Sequence, residues 1–190
     1  RTVEDLFTFD EYITHWAEDR PERLAMRENE ITYTYNELED RTAKVASALL
    51  AKGLVKGDRI AWIGKNAALY FTLFFGAARA GIVMAPIGWR LAPTEWAFII
   101  NDTGAKIIFT GDGFDDVPSQ LAGKLNHQPD IMSAAATEAM IVGAERIAFE
   151  PSIDEDPVLQ LYTSGTTGNP KGAVLCNRNL FGLRKQSKDL

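Results

Sequence analysis

The sequence predicts an α/β fold in which a mainly parallel sheet lies between layers of helices. Two observations carry this. Helix-like and strand-like segments alternate along the chain, and several strand candidates, such as "IVMAPI" and "KIIFT", are almost wholly apolar, as strands covered on both faces are. In addition, 46% of the 190 residues are hydrophobic, enough for a sizeable core in one large domain or two small ones.

The elements follow in order. Thr8 and Glu11 form a capping-box pattern, Phe9, Ile13 and Trp16 recur at helical spacing, and Arg20-Pro21 ends that helix. "LAMRENEITYTY" reads as two short strands around a polar turn. Thr34 and Glu37 make a second capping box, and Leu38, Val45 and Leu49 line one face of the helix that follows. Gly53 then supplies a C-terminal cap and Leu54 its apolar contact. "DRIAWIG" is a strand after the Lys56-Gly57-Asp58 turn. Asn66 is the expected cap of an apolar helix over 67–80, and "IVMAPI" is the next strand. Pro93, Thr94 and Glu95 open a helix running to about Asn101, and "KIIFT" is a strand again. Residues 111–150 are less regular, with helices expected near 116–125 and 133–143. The acidic stretch "EPSIDEDP" reads as a solvated connection rather than a paired-carboxylate site, because nothing apolar surrounds its acids.

Composition excludes some classes. Residues 67–89 are strongly apolar, but the run before Arg79 falls short of the ~18 residues a membrane span needs, and Gly81 and Pro86 interrupt it. A buried helix followed by a buried strand is expected there, and no transmembrane segment. The net charge of −6 argues against a nucleic-acid partner, so an anionic ligand needs a local site. The single cysteine, Cys176, forms no intrachain disulfide and points to a reducing, cytoplasmic compartment. His15 and His127 are isolated and read as core or surface residues. Trp89 and Arg90 follow a strand; loop packing is the expectation for them, approach to a pocket the alternative.

The stretch "LYTSGTTGNPKG" concentrates three glycines, four Ser and Thr hydroxyls, a proline and a lysine between two strand-like segments, "VLQLYT" and "GAVLC". Gly165, Gly168 and Gly172 free the backbone so that amide N–H groups can converge on an anion. Thr163, Ser164, Thr166 and Thr167 offer hydroxyl donors, and Lys171 adds a point charge for phosphate oxygens. The pattern departs from the Walker loop, since Pro170 stands at the second glycine, Gly172 replaces the Ser or Thr, and a strand rather than a helix follows. A strand–loop–strand phosphate cradle is therefore predicted over 163–172, and a P-loop NTPase is disfavoured.

"YTSGTTGNPKG" resembles the phosphate-loop signature of adenylate-forming enzymes: acyl-CoA synthetases, non-ribosomal adenylation domains and luciferases. "ITYTYNELEDRTAKVASALLAKGLVKGDRIAW" and "GAARAGIVMAPIGWRLAPTEWAFIINDTGAKIIFT" are similar to the first two core segments of that family, and "GAVLCNRNL" to the strand and helix start after the loop. Asn177 departs from the histidine many members carry there, and is expected to cap the helix.

The resemblance implies activation of a carboxylic acid, fatty or aryl, by ATP to an acyl-adenylate, then transfer to coenzyme A, with Mg²⁺ as metal. It places ATP on Thr163, Ser164, Gly165, Thr166, Thr167, Gly168 and Lys171. Lys171 takes the electrostatic catalytic role and Thr163 helps bind Mg²⁺. Family members are much longer, so the chain is expected to be a partial N-terminal AMP-binding domain without the C-terminal domain. Alone it is expected to be inactive and, with an unfinished sheet, to self-associate. The alternative is a non-catalytic nucleotide-binding module that keeps only the loop.

Overall fold

The computed structural model describes residues 3–163 and 169–186, with side chains through residue 182. A six-stranded sheet runs through it. Its strands are β3 (Arg59–Ile63), β4 (Val83–Ile87), β5 (Ile107–Thr110), β6 (Asp130–Met132), β7 (Pro157–Thr163) and β8 (Lys171–Cys176), in spatial order β6-β5-β3-β4-β7-β8. The first five are parallel, and only β8 runs antiparallel, against β7. A separate antiparallel pair, β1 (Leu24–Glu28) and β2 (Ile31–Thr34), turns through Asn29, whose φ of 52° is one that asparagine tolerates.

Successive residues of a strand face opposite ways, so apolar strands need cover on both sides. Ile60 and Trp62 face α2 (Tyr35–Ala51) and α3 (Ala68–Arg79), together with Met84, Ile107 and Phe109. Phe9 of α1 (Phe9–Asp19) and Ile141 of α6 (Ala134–Gly143) close that layer. Ala61, Ile63 and Ile108 face α4 (Pro93–Thr103) and the short α5 (Val117–Leu121). The mainly parallel sheet between helix layers is thus the architecture the alternation predicted.

The local signals mostly hold. Thr34 Oγ1 accepts from Glu37 N at 3.2 Å while Glu37 Oε2 accepts from Thr34 N at 2.7 Å, a complete capping box. Thr8 caps α1 in the same way, but Glu11 reaches past it to the Phe7 amide. After α2, Gly53 N donates to Leu50 O and Leu54 N to Leu49 O, the paired bonds of a Schellman cap, and Leu54 is buried.

Several expectations need correction. Asn66 does not cap α3; Glu28 of the β1–β2 hairpin does, its Oε2 accepting from Ala68 N at 2.7 Å. Residues 130–132, unassigned from sequence, form β6 along the edge of β5, and α5 stops at Leu121, short of the expected 125. The acidic connection keeps Glu150 and Glu155 exposed, as expected, but it is also tied to the domain. Ser152 is buried and its N–H donates to Arg79 O, while Lys56 pairs with Glu150 and Asp156. Asn177 is fully buried but is not a cap, because α7 (Asn177–Gln186) already includes it. Its Nδ2 instead donates to Ser152 Oγ at 3.1 Å and Ile153 O at 2.9 Å, while Asn179 Oδ1 accepts from Cys176 N.

Candidate phosphate-loop site

β7 and β8 form the stem of the predicted cradle, in register from Pro157↔Cys176 to Tyr162↔Gly172 and Thr163↔Lys171. The strand–loop–strand arrangement therefore replaces the strand-to-helix turn of a Walker loop. β7 runs parallel to β4. The stem consequently opens at the carboxyl ends of β3 and β4, the edge where open α/β sheets bind ligands.

Thr163 and Lys171 are both exposed and lie directly opposite each other at the mouth of the stem. Opposed residues of an antiparallel pair have β-carbons roughly 5 Å apart, so this hydroxyl and this ammonium are within reach of one anionic group. Among the described residues no ion pair forms on Lys171. The other predicted ligands, Ser164, Gly165, Thr166, Thr167 and Gly168, lie outside the described residues. A magnesium ion takes hard oxygen ligands, which the Thr163 hydroxyl fits as a single one. Among the described residues there is no cluster of His, Cys, Asp or Glu that could hold a metal.

Gly172 has a reason the sequence did not give. Its φ is not left-handed. A β-carbon there would stand 2.8 Å from Gln160 Nε2, 2.9 Å from Tyr162 Cζ and 3.1 Å from the Tyr162 hydroxyl. The cross-strand phenol and the neighbouring amide lie over the bare backbone, so any side chain here would have to displace them. Tyr162 in turn donates its hydroxyl proton to Asp102 near the end of α4 and accepts from Gln160 Nε2 at 2.9 Å. Gln160 Oε1 accepts from Arg59 Nε at 3.2 Å. Burial, then the Asp102 hydrogen bond, push the Tyr162 hydroxyl well above the usual tyrosine range, so it remains a proton donor to Asp102.

The same sheet edge carries two more cations. Lys65, just past β3, has its Nζ 5.5 Å from the Trp89 ring, and the Arg90 guanidinium lies 4.2 Å from that ring, both cation–π distances. Trp89 also meets Phe114 edge-on, so it packs within this loop cluster. Lys65 escaped sequence reasoning because nothing local marks a lone lysine after a strand. A cleft of ≈ 570 Å³ opens nearby, lined by Trp62, Lys65, Gly111 and the first residues of α3 and α6. The histidines are structural. His127 Nε2 lies 2.9 Å from Ala105 O, and His15 packs edge-on to Trp16.

This combination, an α/β domain whose glycine- and hydroxyl-rich hairpin opens at the carboxyl edge of a parallel sheet, is that of adenylate-forming enzymes. A profile of the AMP-binding enzyme family matches residues 13–188, and the chain belongs to that family. It is 36% identical over 157 residues to a fatty acid–[acyl-carrier-protein] ligase, ScoC, of Streptomyces coeruleorubidus, covering 80% of this chain and 30% of the relative. It is 35% identical over 161 residues to a feruloyl-CoA synthase of Amycolatopsis sp., covering 84% and 31%. Among solved structures, the inhibitor-bound N-terminal domain of FACL13 from Mycobacterium tuberculosis superposes with a TM-score of 0.79 at 30% identity, covering 90% of this chain and 44% of that one. The chain thus spans about a third of the length of these curated relatives. No helix among the described residues is long and apolar enough to cross a membrane.

Proposed function

We propose that the chain is the N-terminal part of an ATP-dependent acid–thiol ligase, and that residues 163–172 hold the phosphates that leave. A carboxylate oxygen attacks the α-phosphorus, the bond from that phosphorus to the β-phosphate oxygen breaks, and pyrophosphate departs. A thiol, that of coenzyme A, then displaces AMP from the acyl-adenylate. Lys171 meets charge on the β- and γ-phosphates from its place opposite Thr163, and the loop amides and hydroxyls orient them. Phosphoryl chemistry asks little covalent help of the protein, so positioning and electrostatics are the contribution this segment makes. Magnesium, when bound, neutralises phosphate charge, with Thr163 as one oxygen ligand. The substrate class is a fatty or aryl acid, in line with the relatives named for fatty acids and for ferulate.

The observation that carries this reading is the opposed Thr163–Lys171 pair at the mouth of a glycine-rich hairpin, in a chain of the AMP-binding family. Pyrophosphate exchange by the parent enzyme across a panel of fatty and aryl acids tests it, followed by thioester formation with coenzyme A. Exchange that depends on one class of acid is the expected result. ATP binding without exchange for any acid would leave only a nucleotide-binding module. On the same reading, the 190-residue chain by itself makes no acyl-adenylate. It also self-associates through β8, whose outer edge meets no other strand among the described residues and where Val174 is exposed.

A further inference from the structure

We infer that Tyr162 is a positioning residue for the phosphate loop, holding the hairpin stem at a fixed angle to the sheet through its bonds to Asp102 and Gln160. The inference rests on the function proposed above. Tyr162 sits one residue before Thr163, so any rotation of the stem about the sheet moves Thr163 and Lys171 together. An antiparallel pair at a sheet edge is held by backbone bonds to one neighbour, which leaves its twist free to vary. β7 meets β4 in register only at Met84↔Leu159, four positions before Thr163. Beyond that point the stem needs another tether.

The side chains supply one. The phenol leaves β7 toward α4 and donates to Asp102, 60 residues away in sequence, a bond between the stem and the helix layer. Gln160, two residues earlier on the same face, donates to the same hydroxyl oxygen at 2.9 Å and is itself held by Arg59 at the start of β3. Arg59 Nη1 is fixed in turn on Gly57 O at 2.7 Å. The hydroxyl therefore ends a hydrogen-bonded row running from β3 across β7 to α4. Gly172 completes the device from the other strand, since a β-carbon there would push both the phenol and the amide aside.

The test uses Tyr162→Phe, Asp102→Ala, Asp102→Asn and the Tyr162→Phe/Asp102→Ala double variant of the parent enzyme. It reads Mg·ATP affinity by calorimetry, acid-dependent pyrophosphate exchange, and amide hydrogen exchange along β7 and β8. Loss of one such hydrogen bond weakens Mg·ATP binding roughly fivefold and lowers kcat for exchange, with KM for the acid unchanged. The stem amides exchange faster in both single variants. The double variant is no worse than either single one, because both remove the same tether, and Asp102→Asn, which keeps an acceptor, recovers most of the affinity. Unchanged Mg·ATP affinity in Tyr162→Phe, or additive losses in the double variant, overturns the inference, even if the melting temperature falls. A parent enzyme that binds Mg·ATP but exchanges no pyrophosphate overturns the acid-activation reading alone, since the affinity and amide readouts still decide the role of Tyr162. A parent that binds no Mg·ATP overturns both.

Discussion

Arg79 Nε lies 2.7 Å from Asp10 Oδ1, joining the last turn of α3 to the first turn of α1. The guanidinium, 4% exposed, also reaches Glu39 Oε1 at 3.1 Å, Glu39 O and Thr42 Oγ1 at 3.0 Å. The one charge in the apolar stretch 67–89 is thus the bolt between three helices, and Arg146 brings a second cation to Glu39 from outside. Arg79→Ala leaves two carboxylates and a hydroxyl without their shared donor. Breaking a buried pair from one side costs about 3–5 kcal/mol, so thermal unfolding should show a drop on the order of 10 °C. A variant that melts within 2 °C of the unaltered protein contradicts this role.

Gly76 lets α2 and α3 meet. A β-carbon there would stand 2.4 Å from Val45 Cβ and 2.8 Å from Thr42 O, so even alanine forces the helices apart. Overpacking of this kind costs roughly 1–3 kcal/mol, despite alanine's better helix propensity. Denaturant unfolding of Gly76→Ala should show a lower midpoint with an unchanged slope; a higher midpoint would mean that the crossing is looser than described.

Tyr70 gives the fold an alkaline limit. Burial beside Trp62 and Phe74 pushes its hydroxyl up from 10.0 to about 12. Between these values the unfolded chain loses the proton while the folded chain keeps it. Stability from this group is therefore complete below pH 10 and falls as pH rises toward 12, by about 1.4 kcal/mol per unit. Tyr33, Tyr35 and Tyr162 shift the same way, so the test is a difference. Unfolding free energy measured at pH 9 and pH 11.5 should fall less steeply for Tyr70→Phe than for the unaltered protein. Equal slopes would show that Tyr70 does not titrate with folding.

What the sequence revealed was what short range determines. The Thr34–Glu37 capping box needs only residues three apart, and the apolar strands announce a sheet covered on both faces. The cap on α3 was missed because its acceptor, Glu28, comes from a hairpin 40 residues earlier. β6 was missed because three residues beginning with an aspartate show no period, and only pairing with β5 makes them a strand. The loop is legible from its composition and spacing, which mark Thr163 and Lys171, whereas their opposition across the stem comes only with the pairing of β7 and β8. Gly172 was read for its backbone freedom, whereas its need is the space taken by Tyr162 and Gln160. The link from Tyr162 to Asp102 spans 60 residues and leaves no local trace.

The most direct test of the account is acid-dependent ATP–pyrophosphate exchange by Lys171→Ala in the parent enzyme, with thermal unfolding measured on the same preparation. Lys171 is exposed at the end of the stem, and among the described residues it forms no ion pair. Its loss should therefore leave the melting temperature within about 2 °C, as for surface changes generally. Losing one electrostatic group aimed at developing phosphate charge costs about 3 kcal/mol in the transition state, a fall in exchange rate on the order of 10²-fold. That fall without loss of the fold is the predicted result; exchange at the unaltered rate would contradict the assignment of residues 163–172 as the phosphate cradle.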